Sequence, residues 1–385
     1  MKPRALITGV GDTAVGELAG SSCMGLHREA ALGAVADAGL ALSDIDGVLC
    51  AYSFTEPHLM LGSVFCEYMG IHPGFCSAIQ AGGASACIML MQAAALVASG
   101  QCRHVLAVTG DNRLSGMSRD GAVAALADVG HPQFERPYGI SIPASYALVA
   151  RRYMHEYGVT LEQLAAIAVE HRGHAGRHPK AHKRVPVTIA EVMASREISS
   201  PLRLLDCCLI SDGGAAVVVS APDAVADAPS GRPVAILGAG QGHTHEHIVC
   251  APSLTDFGCK DSSRRAFAQA GVSPADIDVA EIYDSFTITL LVELESIGFF
   301  PRGEAGPAVQ AGALGLGGAL PCNTHGGLLS YGHSGAAGGM FHAVEAVHQL
   351  RRDAGPRQVR DAELAFVHGD GGILSAHCSL VLGRT

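Results

Sequence analysis

Cysteines, histidines and one basic run are the groups in this chain with obvious chemical potential. The twelve cysteines are scattered, no pair has C-x-x-C spacing, and only Cys207 and Cys208 are adjacent. That is not the pattern of a disulfide scaffold, so they read as reduced, mostly buried thiols. His243, His245 and His247 alternate in GHTHEH. A strand there would place all three on one face, as a metal site would require, although pocket-lining or surface histidines are the preferred reading. Arg172, Arg177, Lys180, Lys183 and Arg184 cluster with four histidines between His171 and Arg184, either as a solvated loop or as a counter-charge for an anion. Gly9-Val10-Gly11-Asp12-Thr13-Ala14 follows a predicted strand and matches a relaxed dinucleotide fingerprint. No Y-x-x-x-K pair supports a reductase.

The bulk properties narrow the classes. The chain has 385 residues, 48% apolar and 16% charged, with 48 glycines and a formal charge of −10. It can bury a sizeable core, and its many glycines suit helices packed closely on sheets. The negative balance argues against a nucleic-acid surface. Met1–Ala5 leads straight into a strand without a leader pattern, and no apolar run is long enough to span a bilayer. A cytoplasmic protein is expected.

An internal repeat organises the chain. Ala36–Phe54 and Ala268–Phe286 align without gaps and are identical at Ala36/Ala268, Ala38/Ala270, Gly39/Gly271, Asp44/Asp276, Ile45/Ile277, Asp46/Asp278, Ser53/Ser285 and Phe54/Phe286. Each copy reads as a helix, a C-terminal glycine, a D-I-D turn and a strand. In the first half, strands are predicted at Ala5–Gly9, Gly47–Ala51 and His104–Thr109, with helices at Leu26–Ala38 and Ala84–Ser99. In the second, strands are predicted at Pro233–Leu237, Val279–Ile282, Ala365–His368 and Ala376–Leu382, with helices at Ser263–Ala270 and near Gly335–Leu350. A mostly helical insertion, about 110–200, carries helices near Pro143–Tyr157 and Leu161–Ala175, and strand Ala215–Ser220 closes the first half. The division is therefore 1–225 and 226–385, an α/β duplication with parallel sheets.

Six stretches, in order, make the chain resemble the lipid-transfer-protein (sterol-carrier) branch of the thiolases: Ser145–Gly158, His171–Ala181, Ser200–Val219, Glu281–Thr287, Asn323–Gly339 and His368–Leu382. The resemblance implies the thiolase fold, two similar αβαβα halves in a five-layer α-β-α-β-α core with a helical loop domain, and a homodimer. The chain departs from the family where thiolases do their chemistry. The nucleophilic cysteine belongs in a turn that opens a helix, and Gly83 of Gly82-Gly83-Ala84-Ser85 stands there. The second family cysteine is replaced by Gly369 in Gly369-Asp370-Gly371-Gly372. The family histidine is retained as His333. Tyr283 takes an oxyanion-hole position, and Tyr331 lies two residues before His333.

Without a thiolate, Claisen chemistry through an acyl-enzyme is closed. Retro-aldol cleavage of a β-hydroxyacyl-CoA needs only an acid/base pair and donors aimed at the enolate oxygen. The resemblance is greatest to steroid side-chain aldolases, which implies cleavage to a ring ketone and propionyl-CoA, with a small OB-fold/zinc-ribbon partner. Tyr283 and Tyr331 are the expected acid/base pair, with His333 as a donor to the thioester oxygen. Gly82, Gly83 and Gly371 form the oxyanion turns, and the basic cluster contacts the CoA phosphates. No metal and no cofactor beyond the CoA thioester substrate is expected. A phenol base requires a pKa below its ordinary value of about 10.

Each assignment has a plainer reading. Tyr283 and Tyr331 could be packed tyrosines with satisfied hydroxyls, and the glycines could serve only as turn residues. Cys76, Cys87 and Cys322 could tempt a rescue of thiolase chemistry, but Cys87 lies one helical turn beyond Gly83 and should point elsewhere. An acetyltransferase with a relocated nucleophile and a non-catalytic acyl-CoA-binding subunit are the alternative functions.

Overall fold

In the computed structural model, which describes residues 4–118, 121, 126, 129–225 and 232–385, the chain passes through two halves of one design. The first holds β1 (Leu6–Asp12), α1 (Cys23–Asp37), β2 (Gly47–Ala51), α2 (Leu61–Met69), β3 (Phe75–Ile79), α3 (Ser85–Ala98) and β4 (His104–Asn112). A stretch with α4 (Arg113–Gly116), α5 (Ile142–Tyr157), α6 (Leu161–Ala175), α7 (Ile189–Ala194) and the hairpin β5–β6 (Glu197–Ser199, Leu202–Arg203) precedes β7 (Asp212–Ser220). The second half holds β8 (Val234–His243), α8 (Cys259–Ala270), β9 (Val279–Ile282), α9 (Thr287–Ile297), α10 (Ala305–Gln310) and α11 (Gly327–Ser330). It ends with α12 (Ala337–Arg351), β10 (Leu364–Gly371) and β11 (Ala376–Arg384).

The strand order β3-β2-β4-β7-β1-β8-β11-β10-β9 reads the same design from both ends. β2 and β9 are parallel to β4 and β10, each reached through a crossover helix, whereas β7 and β11 return antiparallel. The all-parallel expectation therefore holds only for the crossover strands. Ala280 pairs in parallel with Cys322, the remnant of a strand equivalent to β3. Two residue pairs between β1 and β8, Leu6–Ala235 and Ile7–Val234, join the halves into one hydrogen-bonded run.

Side-chain character sets the layers. α3 and α12 are apolar almost all round and pack between the two halves, α3 touching β2, β4 and β7 as well as β8, β10 and β11. α1 covers β1, β4 and β7 from outside, and α8 covers β8 and β11. Five α-β-α-β-α layers result. Two matched glycine pairs allow the outer helices to lie this close. A Cβ on Gly11 would sit 2.5 Å from the Ala30 carbonyl, and one on Gly9 would overlap α1 at Ala34. Gly238 and Gly240 face α8 in the same way. The Gly9–Ala14 fingerprint is thus helix packing, and α1 occupies the space a pyrophosphate would need. Helix α9 and strand β3 were not anticipated. The apolar TITLLVELESI of α9 has no amphipathic stripe because it is buried on all sides.

The repeat has a physical cause. Asp46 accepts the Arg103 and His104 N–H groups at 2.8 and 2.9 Å, fixing the start of β4. Its counterpart Asp278 accepts the Glu363 and Leu364 N–H groups, both at 2.9 Å, at the start of β10. Asp44 and Asp276 each cap their preceding turn, on Ala41 N and Ser273 N at 2.8 Å. Asp46→Ala or Asp278→Ala is expected to destabilise the fold by about 1–3 kcal/mol, two charge-assisted bonds being lost. Urea unfolding of each variant against the parent measures it.

Candidate active site

The two central helices begin at the same place. A Cβ on Gly339, in the first turn of α12, would lie 2.6 Å from the Gly83 carbonyl oxygen, beside the start of α3. The N-terminal ends of both helices therefore converge, which favours negative charge nearby. Gly82 has φ +55°, and a Cβ on it would lie 2.7 Å from Gly371 Cα, so the turns Gly82–Gly83 and Gly371–Gly372 pack backbone to backbone. Ser85 locks the first turn, its hydroxyl donating to the Gly82 carbonyl at 2.7 Å and accepting the Ala81 N–H at 2.9 Å.

Strand β9 delivers Tyr283 to this point. Asn323 extends the strand edge with its side chain, Oδ1 accepting Ile282 N–H and Nδ2 donating to Ile282 O, both at 2.7 Å. Next along the chain, Asp284 accepts the Leu328 N–H and the His171 Nδ1, again at 2.7 Å, and so anchors the segment leading to His333. The two phenol and imidazole groups then meet: Tyr283 Oη lies 2.9 Å from His333 Nε2. His333 Nδ1 lies 3.2 Å from Cys208 Sγ. With Nδ1 protonated toward sulfur, Nε2 accepts the phenol proton.

These groups line a cavity of about 260 Å³ with Tyr52, Phe54, Arg113, Ile142, Tyr146, Phe286 and Asp370. A second cavity of about 530 Å³ shares Tyr52, Phe54, Gly82, Val129 and Gly372 with it. Burial raises the Tyr283 phenol well above its ordinary value and holds His333 down to about 3, the nearby Arg113 guanidinium adding to the second effect. Burial also pushes the Cys208 thiol up to about 12. All three are neutral at physiological pH.

Gly83 has no space for a side chain. A Cβ there would overlap the Tyr283 ring and the Asp370 carbonyl oxygen. At Gly369 a Cβ would fall 3.0 Å from Ala84 Cα and 3.3 Å from Cys87 Sγ. Cys87 itself is fully buried, with a thiol pushed up to about 12.

Other candidates lie elsewhere. Tyr331 does not face Tyr283: its hydroxyl donates to Asp12 Oδ2 at 2.6 Å, in a separate pocket with His178 and Arg357. Tyr331 caps the end of the short helix α11 and only Gly332 (φ +156°) separates it from His333, yet the two side chains point into different cavities. Of the basic cluster, Arg172 is buried on Ser330 Oγ at 2.9 Å and Lys180 pairs with Asp12 at 2.7 Å, while Arg177, Lys183 and Arg184 are exposed. The loop passes close to the site, since His182 Nδ1 meets Ser211 Oγ at 3.0 Å, which also receives the His333 N–H. The GHTHEH histidines do not share a face. β8 stops at His243, His245 meets the Ile373 carbonyl at 3.1 Å, and His247 packs on His131. Sequence reasoning missed Arg113, Cys208, Tyr146 and Asp370. Tyr146, within the SYALVARRY stretch, donates to Asp370 Oδ2 at 2.9 Å and stacks on Phe286.

Fold and site define a thiolase-fold protein whose nucleophile position is filled by a neighbouring ring. Thiolase, N-terminal domain matches residues 4–223, and Thiolase C-terminal domain-like matches residues 240–384. The chain belongs to the thiolase family. It is 37% identical to 17-hydroxy-3-oxo-4-pregnene-20-carboxyl-CoA lyase of Mycobacterium tuberculosis, over 90% of this chain and 92% of that one. It is 34% identical to acetyl-CoA acetyltransferase of Methanothermobacter thermautotrophicus, over 96% and 98%. The solved Ltp2-ChsH2(DUF35) aldolase matches with TM-score 0.88 and 36% identity, covering 99% of this chain and 98% of that one. No helix among the described residues is long and apolar enough to cross a membrane.

Gly83→Cys is expected to lower the melting temperature by displacing Tyr283 and to give no acyl-cysteine with acyl-CoA. Thermal denaturation and intact mass spectrometry after incubation with acetyl-CoA check both.

Proposed function

We propose that this chain is a carbon–carbon lyase that cleaves a β-hydroxyacyl-CoA by retro-aldol chemistry. Because relatives of similar identity include both a lyase and an acetyltransferase, the site decides between them. The observation that carries the reading is the Tyr283 ring lying in the space of the thiolase nucleophile, with its hydroxyl on His333. In the proposed reaction the substrate hydroxyl gives its proton to the Tyr283–His333 pair, the phenol passing its own proton to Nε2. The Cα–Cβ electron pair moves into the thioester enolate, and Cβ becomes a ketone. The pair then returns the proton to Cα, so the steps balance and consume no cofactor. The phenol needs no lowered pKa, because it relays a proton and does not hold an anion. The start of α3 and Arg113 line the same cavity and supply positive potential for the developing enolate.

The cavity wall of Phe54, Ile142, Pro143, Leu209, Ile210 and Phe286 suits an apolar ring system. With the lyase relative, this supports a steroid side-chain substrate yielding a ring ketone and propionyl-CoA. Arg177, Lys183 and Arg184 are the basic residues left to meet CoA phosphates. A DUF35-type OB-fold/zinc-ribbon protein as partner, a homodimer and a cytoplasmic location complete the reading. The similar aldolase is itself a complex with such a chain.

A second reading rests on the 3.2 Å contact between Cys208 and His333, which could be a relocated nucleophile with its base. The protonated state of that thiol disfavours it. Cys208→Ala is expected to keep cleavage within a few-fold, and trapped acyl-Cys208 would install the transferase instead.

Tyr283→Phe and His333→Ala are each expected to lower kcat by about 10²–10⁴, whereas Tyr331→Phe stays within a few-fold of the parent. Ketone and shortened acyl-CoA, followed by mass spectrometry with a tertiary β-hydroxyacyl-CoA and the partner, report this. The pH dependence follows from His333. A base titrating at about 3 stays neutral above about pH 4, so kcat/KM should show no acid limb near 6.5 between pH 8 and 5. A pH–rate profile checks it.

A further inference from the structure

Behind the cavity wall, β10 and β11 place four groups on one face. His368 and Asp370 are two apart on β10, and the antiparallel register sets Ser379 and His377 opposite them. Glu293, on α9, projects onto the same spot. His368, His377 and Glu293 are fully buried, and Asp370 is nearly so. Among the described residues, neither Glu293 oxygen has a hydrogen-bond partner, nor has Asp370 Oδ1.

We infer that Glu293, His368 and His377 form a binding site for a divalent transition-metal ion, zinc foremost. His368 Nε2 lies 3.1 Å from His377 Nδ1 and 3.4 Å from Glu293 Oε1, and His377 Nδ1 lies 3.8 Å from Glu293 Oε1. A tetrahedral ion with bonds of about 2.0–2.1 Å separates its ligand atoms by roughly 3.4 Å. Asp370 Oδ1, 3.9 Å from His377 Nδ1, borders the trio without closing onto all three, which leaves the fourth position to a solvent ligand.

The surroundings prepare the ligands. His368 Nδ1 lies 2.8 Å from Ser379 Oγ, which meets Ser262 Oγ at 2.9 Å. Donation from Nδ1 to Ser379 leaves the Nε2 lone pair aimed at the site. The Tyr146 hydroxyl holds Asp370 Oδ2 and leaves Oδ1 free. Imidazole nitrogens together with a carboxylate oxygen suit zinc and its first-row neighbours.

The comparable trio Glu281, His325 and His342 carries less. Glu281 Oε1 is already held by the Thr324 N–H and hydroxyl, and Oε2 meets His325 at 3.0 Å. In the Glu293 site the ion ties α9 to β10 and β11, next to the Tyr146–Asp370 pair of the cavity wall.

The test uses the full chain expressed in zinc-supplemented and, separately, cobalt-supplemented medium and purified without chelator. Elemental analysis is expected to find about one ion per chain, with the visible d–d bands of tetrahedral Co(II). Glu293→Gln, nearly isosteric, should lose most of the metal while staying folded by circular dichroism. His243→Ala/His245→Ala should keep it, separating this site from surface histidines. A folded parent protein with well under a tenth of an equivalent and no Co(II) bands overturns the inference, as does full metal retention in Glu293→Gln.

Discussion

The Tyr283 ring lies where any side chain on Gly83 would have to be. That contact depends on a bare backbone at the start of α3, and on β9 holding its last residues in register through Asn323. In a thiolase the helix start presents a sulfur to the substrate. Here the same convergence of two helix ends surrounds a phenol hydrogen-bonded to an imidazole. The favourable field for negative charge survives, but no sulfur remains at the start of α3 to carry an acyl chain.

The layered core explains how a glycine position can be that exacting. α3 and α12 are packed on both faces by strands, so neither can shift to admit a new side chain without disturbing both halves. Their N-termini meet because the halves are related by duplication, and the site sits where the two copies touch. Matched aspartates at the starts of β4 and β10, and matched glycine pairs on β1 and β8, keep the copies in equivalent geometry after their surfaces have diverged.

Around this centre the protein buries an unusual number of ionisable groups. Those near the Gly326–His333 turn are paired, as Asp284 is with His171 and Leu328 N–H, and Glu345 with Arg357. Glu293 has no hydrogen-bond partner among the described residues and stands beside the His368 and His377 imidazoles. Paired groups fix the turn that presents His333. The unpaired carboxyl is the basis of the proposed metal site.

The sequence by itself determined the duplicated α/β fold, because helix and strand periodicity, the D-I-D turns and the glycine spacing are local properties repeated in both copies. It also determined that both family cysteines are replaced by glycine, Gly83 and Gly369, since a missing atom needs no coordinates. Tertiary structure decided the partners of Tyr283. Tyr331 and His333 are two residues apart, and only the backbone course through Gly332, just past α11, sends one to Asp12 and the other to the phenol. Arg113, Cys208, Tyr146 and Asp370 reach the same cavity from four separate segments, a convergence with no trace in sequence spacing. The alternation in GHTHEH pointed to a metal on β8, but a strand that ends at His243 cannot keep its period. The histidines that do converge sit on paired strands, nine residues apart, where antiparallel register and not spacing brings them together.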